Sequence, residues 1–172
     1  MKTKEQIKTD LLNFSCPRWK DLPNFDIYMD QLIACITSYL QPLYFQEEKI
    51  LTNSMVNNYV KNSILDPPVK KHYNAKHLAY LIVVCILKRV FTLNEISSLI
   101  EVQSKMRYSS YMEAYDKFSS YLEIYLHEII EKGNLNELNP KYRSKEEELL
   151  CNVVSSIVMK IYTEYYLISQ DH

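Results

Sequence analysis

Residues 50–100 read ILTNSMVNNYVKNSILDPPVKKHYNAKHLAYLIVVCILKRVFTLNEISSLI, and four kinds of segment follow one another in this run. Thr52 caps a short helix in which Met55, Val56, Tyr59 and Val60 recur at fourfold spacing, so Asn53, Ser54, Asn57, Asn58 and Lys61 fall on the opposite, polar face. Ile64 and Leu65 lead into Asp66-Pro67-Pro68, a stop that no helix passes. A basic turn, Val69-Lys70-Lys71-His72-Tyr73, comes next, and Asn74 caps a second helix that is apolar nearly all round from Leu78 to Leu87. Thr92-Leu93-Asn94-Glu95 then has the form of a capping box, opening a helix with Leu93, Ile96, Leu99 and Ile100 inward. A short polar-faced helix, a basic turn and a buried helix in this order predict a winged helix-turn-helix.

Charge is segregated in the same way. The chain carries a net charge of −1, yet residues 49–89 hold Lys49, Lys61, Lys70, Lys71, Lys76, Lys88 and Arg89 against Asp66 alone. The flanks are correspondingly acidic. A basic module on an acidic body suits a nucleic-acid-facing surface, although a merely solvated face has the same composition.

Working outward, residues 3–14 predict a helix with Ile7, Leu11, Leu12 and Phe14 on one side, followed by an extended link from Pro17 to Asn24 in which Trp19 tucks against a helix. Asn24 or Asp26 caps the next helix, which places Tyr28, Leu32, Ile36 and Tyr39 inward and ends at Pro42. Either Pro42–Glu48 is the first helix of the helix-turn-helix, or the turn is longer than usual. Two amphipathic helices, 108–132 and 144–169, close the chain, and an antiparallel hairpin is expected of them. The division is thus 1–24, an N-terminal helix and link; 25–103, the winged helix-turn-helix; and 104–172, a C-terminal hairpin for dimerisation or sensing.

Composition narrows the function. Gly133 is the only glycine, so tight hairpins and phosphate-cradling loops are poorly served, and the fold is expected to be all-α. Cys16, Cys35, Cys85 and Cys151 lack metal-ligand spacing and read as buried, reduced thiols. His72 and His77 do not share a helical face, so no metal pair is expected. No nucleophile elbow, P-loop, zinc-protease motif or dinucleotide turn is present, so the chain reads as a non-enzyme without a cofactor. The longest apolar run, Leu78–Leu87, is too short to span a bilayer, and the N-terminus is unlike a signal peptide; a cytoplasmic protein is expected.

The motif order also carries a resemblance. Leu51-Thr52-Asn53-Ser54, Tyr59, Ile64-Leu65 with Pro67-Pro68, Tyr73-Asn74 followed by Leu78 and Leu81, and Phe91-Thr92-Leu93-Asn94-Glu95-Ile96 resemble the MerR-like winged helix family. The chain from Pro23 to about Ile100 is similar to an uncharacterised bacterial family catalogued as domain of unknown function 1836. Asn57 and Asn58 stand where the MerR-like pattern often has Arg and Tyr, and Ser63 and Val90 stand where it has glycines. The resemblance implies DNA binding and pairing through the helices after the DNA-binding part. With the wing arginine missing, Lys70 and Lys71 would take the phosphates as point charges.

The expected function is therefore a transcriptional regulator that reads duplex DNA with the helix starting at Asn53. Asparagine amides suit adenine in the major groove. The DNA-contacting set is Lys49, Thr52, Asn53, Ser54, Asn57, Asn58, Lys61, Lys70, Lys71, Tyr73 and Lys76. Tyr108, Tyr111, Tyr115, Phe118 and Tyr125 form a stripe that reads as a packed face of a homodimer or as a small-molecule pocket. A protein-interaction adaptor on the same fold, without DNA binding, is the principal alternative.

Overall fold

The computed structural model describes residues 2–45, 49–105, 110–138 and 144–168; among them, helices are the only extended elements. The first, α1 (Lys4–Leu12), begins at a capping box in which Thr3 Oγ1 accepts from Gln6 N–H at 3.2 Å and Gln6 Oε1 accepts from Thr3 N–H at 2.8 Å. The link after it is fastened rather than free. A 3-10 turn (Trp19–Asp21) sits where an extended run was expected, and Arg18 grips Glu123 through both guanidinium nitrogens at 2.8 and 2.7 Å.

Helix α2 spans Met29–Leu40 and buries Leu32, Ile36 and Leu40. It starts later than Asn24 or Asp26 would allow, because Ile27 is held extended in an antiparallel bridge with Tyr73 (2.9 and 2.8 Å). Tyr28 is consequently the N-cap and is exposed, not part of the inward stripe. A 3-10 turn (Gln41–Leu43) follows, and Tyr44 and Phe45 are non-helical, so the connection to the next helix is long. The expected helical segment Pro42–Glu48 ends, at residues 46–48, outside the described residues.

The quoted stretch forms three helices: α3 (Asn53–Lys61), α4 (Ala75–Leu87) and α5 (Leu93–Ser104). Their caps are those the sequence predicts. Thr52 Oγ1 accepts from Met55 N–H at 3.2 Å, Asn74 Oδ1 from Lys76 and His77 N–H at 3.1 and 3.3 Å, and Thr92 Oγ1 from Glu95 N–H at 3.3 Å. Nine of the thirteen residues of α4 are buried, which makes it the centre of the core.

Two long helices, α6 (Tyr111–Lys132) and α7 (Lys145–Ile168), complete the chain. They pack against each other, but not as the expected antiparallel hairpin. Near the start of α7, Glu147 accepts from the Tyr121 hydroxyl at 2.7 Å and pairs with Lys117 at 3.1 Å. Toward its other end, Tyr162 lies against Gly133, its hydroxyl 3.1 Å from where a Cβ would stand. An antiparallel pair that joined Tyr121 to Glu147 would have carried Gly133 away from Tyr162, so the two helices run in the same sense. Helix α1 packs on both α6 and α7, so the termini share one core with the middle of the chain.

Candidate nucleic-acid interface

Helix α3 separates its faces cleanly. Val56 and Tyr59 are buried, whereas Asn53, Ser54, Asn57, Asn58 and Lys61 are exposed. The asparagines are not equivalent. Asn62, the C-cap, donates its amide to both Asn58 O (2.8 Å) and Asn58 Oδ1 (2.9 Å), so the side-chain acceptor of Asn58 is already engaged. Bidentate pairing with adenine needs acceptor and donor together, and Asn53 and Asn57 keep both. The Tyr59 hydroxyl is buried with no hydrogen-bond partner among the described residues, and Lys88 lies 5.5 Å from that ring. Past the helix, Ser63 adopts a left-handed φ of 57°, the conformation a glycine would supply.

The basic turn corrects the expectation drawn from scarce glycine. Val69 and His72 form an antiparallel bridge (3.1 and 2.9 Å), and between them Lys70 and Lys71 have φ of 49° and 67°. Positive φ at both central residues is the signature of a two-residue hairpin turn that ordinarily takes Asn-Gly. Each lysine there costs about 1–2 kcal/mol relative to a right-handed conformation. Neighbouring contacts hold it in place: the Ile27–Tyr73 bridge, a 2.9 Å hydrogen bond between His72 Nδ1 and Lys70 O, and the Tyr28 ring 4.4 Å from His72. A hairpin of minimal length thus carries two lysines at its tip.

The structure divides the basic residues of 49–89. Lys49, Lys61, Lys70 and Lys71 are exposed and pair with no acid among the described residues. Lys76 is withdrawn: it donates to Asp66 at 2.7 Å and lies 4.7 Å from the Tyr111 ring, and this contact holds the Asp66 carboxyl below its ordinary range. Arg89 is also withdrawn, being 7 % exposed, paired with Glu164 and stacked 4.5 Å from the Tyr44 ring. Tyr73 packs inward, edge-on to His77 at 5.3 Å. Of the predicted contact set, all but Tyr73 retain at least partial exposure, Lys76 doing so while paired with Asp66. Sequence reasoning missed Phe25, Tyr28 and Val69, exposed apolar side chains in and around the Ile27–Tyr73 and Val69–His72 pairings; the only signal was the strand-like pairing itself, which partners 46 and 3 residues apart do not advertise.

The tyrosine stripe resolves into two groups. Tyr115, Phe118 and Tyr125 are buried within the chain, so they offer no free face to a second copy, and Tyr111 is partly exposed. Tyr111, Tyr115 and Phe118 line a cavity, whereas Tyr125 does not. Tyr108 lies outside the described residues. Cys16, Cys85 and Cys151 are buried as expected, and Cys35 is half-buried. No group of three His, Cys, Asp or Glu side chains suited to a metal is found among the described residues, nor is any helix there long and apolar enough to cross a membrane.

The class defined by these features is an all-helical protein that exposes a polar helix and a lysine-tipped hairpin. The chain belongs to the family described as Domain of unknown function (DUF1836), whose model matches residues 17–118. The match therefore begins at the Trp19 link and runs through α2–α5 into the first turns of α6. No curated protein and no solved structure matches the chain.

Proposed function

We propose that this protein is a DNA-binding transcriptional regulator built on a MerR-like winged helix-turn-helix. Helix α3 enters the major groove, with Asn53 and Asn57 reading A·T pairs, and the Lys70-Lys71 tip takes phosphates beside it. The observation that carries this reading is the pair of left-handed lysines. A turn that sacrifices stability to present two cations at its apex is explained by an anionic partner, since strain of this kind concentrates at functional sites. Lys49 and Lys61, also unpaired, add to the same attraction. The protein binds as a homodimer, using surface other than the buried stripe of α6.

The test is fluorescence anisotropy with an AT-rich duplex at low ionic strength, comparing the wild type with Lys70→Glu, Lys71→Glu. Binding that weakens steeply with salt and is lost in the variant supports the reading; absent or salt-insensitive binding sinks it. A second reading, an adaptor that binds protein rather than DNA, is favoured by Phe25, Tyr28 and Val69, which are 64 %, 54 % and 68 % exposed. It predicts that Tyr28→Ala abolishes partner capture while DNA has no effect.

A further inference from the structure

We propose that the half-open cavity lined by α4, α5 and the first turns of α6 and α7 is a binding site for an uncharged, ring-bearing, largely apolar small molecule. Its volume is about 720 Å³, within the range of sites that hold drug-sized ligands and far above a packing defect. Five of the lining side chains are aromatic, Trp19, Tyr80, Tyr111, Tyr115 and Phe118. The aliphatic lining comes from Val83 and Leu87 of α4, which share a helical face with Tyr80, from Leu99 of α5, and from Leu150 and Val153 of α7. This location overlaps the tyrosine stripe at Tyr111, Tyr115 and Phe118 and extends beyond it to α4 and α5. The cavity lies where α6 and α7 bring their N-termini to one end, which follows from their running in the same sense.

The chemistry of the walls selects the ligand. Ring faces favour offset or edge-on stacking with another ring, and the cavity is broad enough for a fused-ring or biaryl body. The tyrosine hydroxyls leave little hydrogen bonding to satisfy, since Tyr115 already donates to Pro17 O at 2.7 Å. Charge at the rim is balanced. Two helix N-termini contribute partial positive charge, Lys105 pairs with Glu101 and Lys117 with Glu147, and Glu113, Glu146 and Glu147 supply the opposing carboxylates. Among the described residues an anion finds no unpaired cation there, and a cation meets two helix dipoles end-on. An uncharged molecule, oriented by Gln103 at the rim, incurs neither penalty. The proposal is independent of DNA binding, because none of the lining residues lies on α3 or the hairpin tip.

The test titrates the full chain with N-phenyl-1-naphthylamine, an uncharged fluorophore made of a naphthalene and a phenyl ring whose emission rises in apolar surroundings. The expected result is a saturable rise with one probe per chain and a dissociation constant of tens of micromolar or tighter, on the order set by typical ligand efficiencies. Val83→Trp on α4 and Leu150→Trp on α7 fill the cavity from two helices and should weaken binding at least tenfold while helical circular dichroism is retained. Tyr111→Ala, at a partly exposed position where truncation spares the core, should weaken it about tenfold by removing one ring, equivalent to about 1.4 kcal/mol. Absence of saturable binding overturns the proposal, as does binding that survives both filling variants in folded form or is indifferent to Tyr111→Ala. Tighter binding of dodecanoate or tetraphenylphosphonium than of the neutral probe overturns the assigned ligand class.

Discussion

Replacing Lys70-Lys71 by Asn-Gly should move stability and DNA affinity in opposite directions. At φ of 49° and 67°, both lysines occupy a region disfavoured by about 1–2 kcal/mol each for L-residues. Asn tolerates this region and Gly is free of the steric cost, but Gly loses about 0.5–1 kcal/mol in backbone entropy, leaving a net gain near 1 kcal/mol. In a chain of this size that raises the melting temperature by about 2–4 °C. Binding should change oppositely. If Lys49, Lys61, Lys70 and Lys71 each neutralise one phosphate, log K falls against log salt with a slope of about −3.6, or about 150-fold in affinity between 50 and 200 mM. Removing two of them halves the slope to about −1.8, or about 12-fold over the same interval. Differential scanning calorimetry measures the first effect and anisotropy titrations across salt measure the second. A lower melting temperature would refute the strain argument, and an unchanged salt slope would refute phosphate contact by the hairpin.

Other perturbations test the core. Tyr59→Phe removes a buried hydroxyl that has no partner among the described residues and should stabilise the fold by about 1 kcal/mol in denaturant titration, where most core changes destabilise. Glu164→Ala strands the buried Arg89 guanidinium and should cost about 3 kcal/mol. Burial pushes the Cys85 thiol from 9.0 up to about 12, so the unfolded chain ionises first. Stability from this residue is complete below pH 9 and is lost as pH rises toward 12, at about 1.4 kcal/mol per pH unit, and Cys85→Ala should flatten that decline. Timed alkylation should label Cys35 ahead of Cys16, Cys85 and Cys151, because only Cys35 is partly exposed; simultaneous labelling of all four in the folded chain would contradict the burial pattern.

Much of the middle of the chain was legible because local chemistry specifies it. Thr52, Asn74 and Thr92 announce three helix starts through their side-chain oxygens, and the apolar circumference of α4 announces its burial. The left-handed lysines were not legible, since nothing in Lys-Lys favours positive φ; the conformation is imposed by the Ile27–Tyr73 and Val69–His72 pairings, one of which joins residues far apart in sequence. The withdrawal of Lys76 was hidden for a similar reason. Its acid, Asp66, lies ten residues back across two prolines, and only the turn brings them to 2.7 Å. Periodicity identified the buried face of α6 through Tyr115, Phe118, Leu122 and Ile129. It could not give the direction of α7, because an amphipathic stripe has no sense of polarity.

That shared direction bears on how the protein folds. An antiparallel pair closes at its connecting turn and grows by adding neighbours, so it forms early and from local contacts. Helices α6 and α7 have no such nucleus: Tyr121 meets Glu147 and Gly133 meets Tyr162 only after the intervening chain has returned along the length of a helix. The entropy of closing these loops must be met before either contact forms, which places the pairing late. Residues 110–168 expressed alone should therefore lack the stable pair that they form in the full chain.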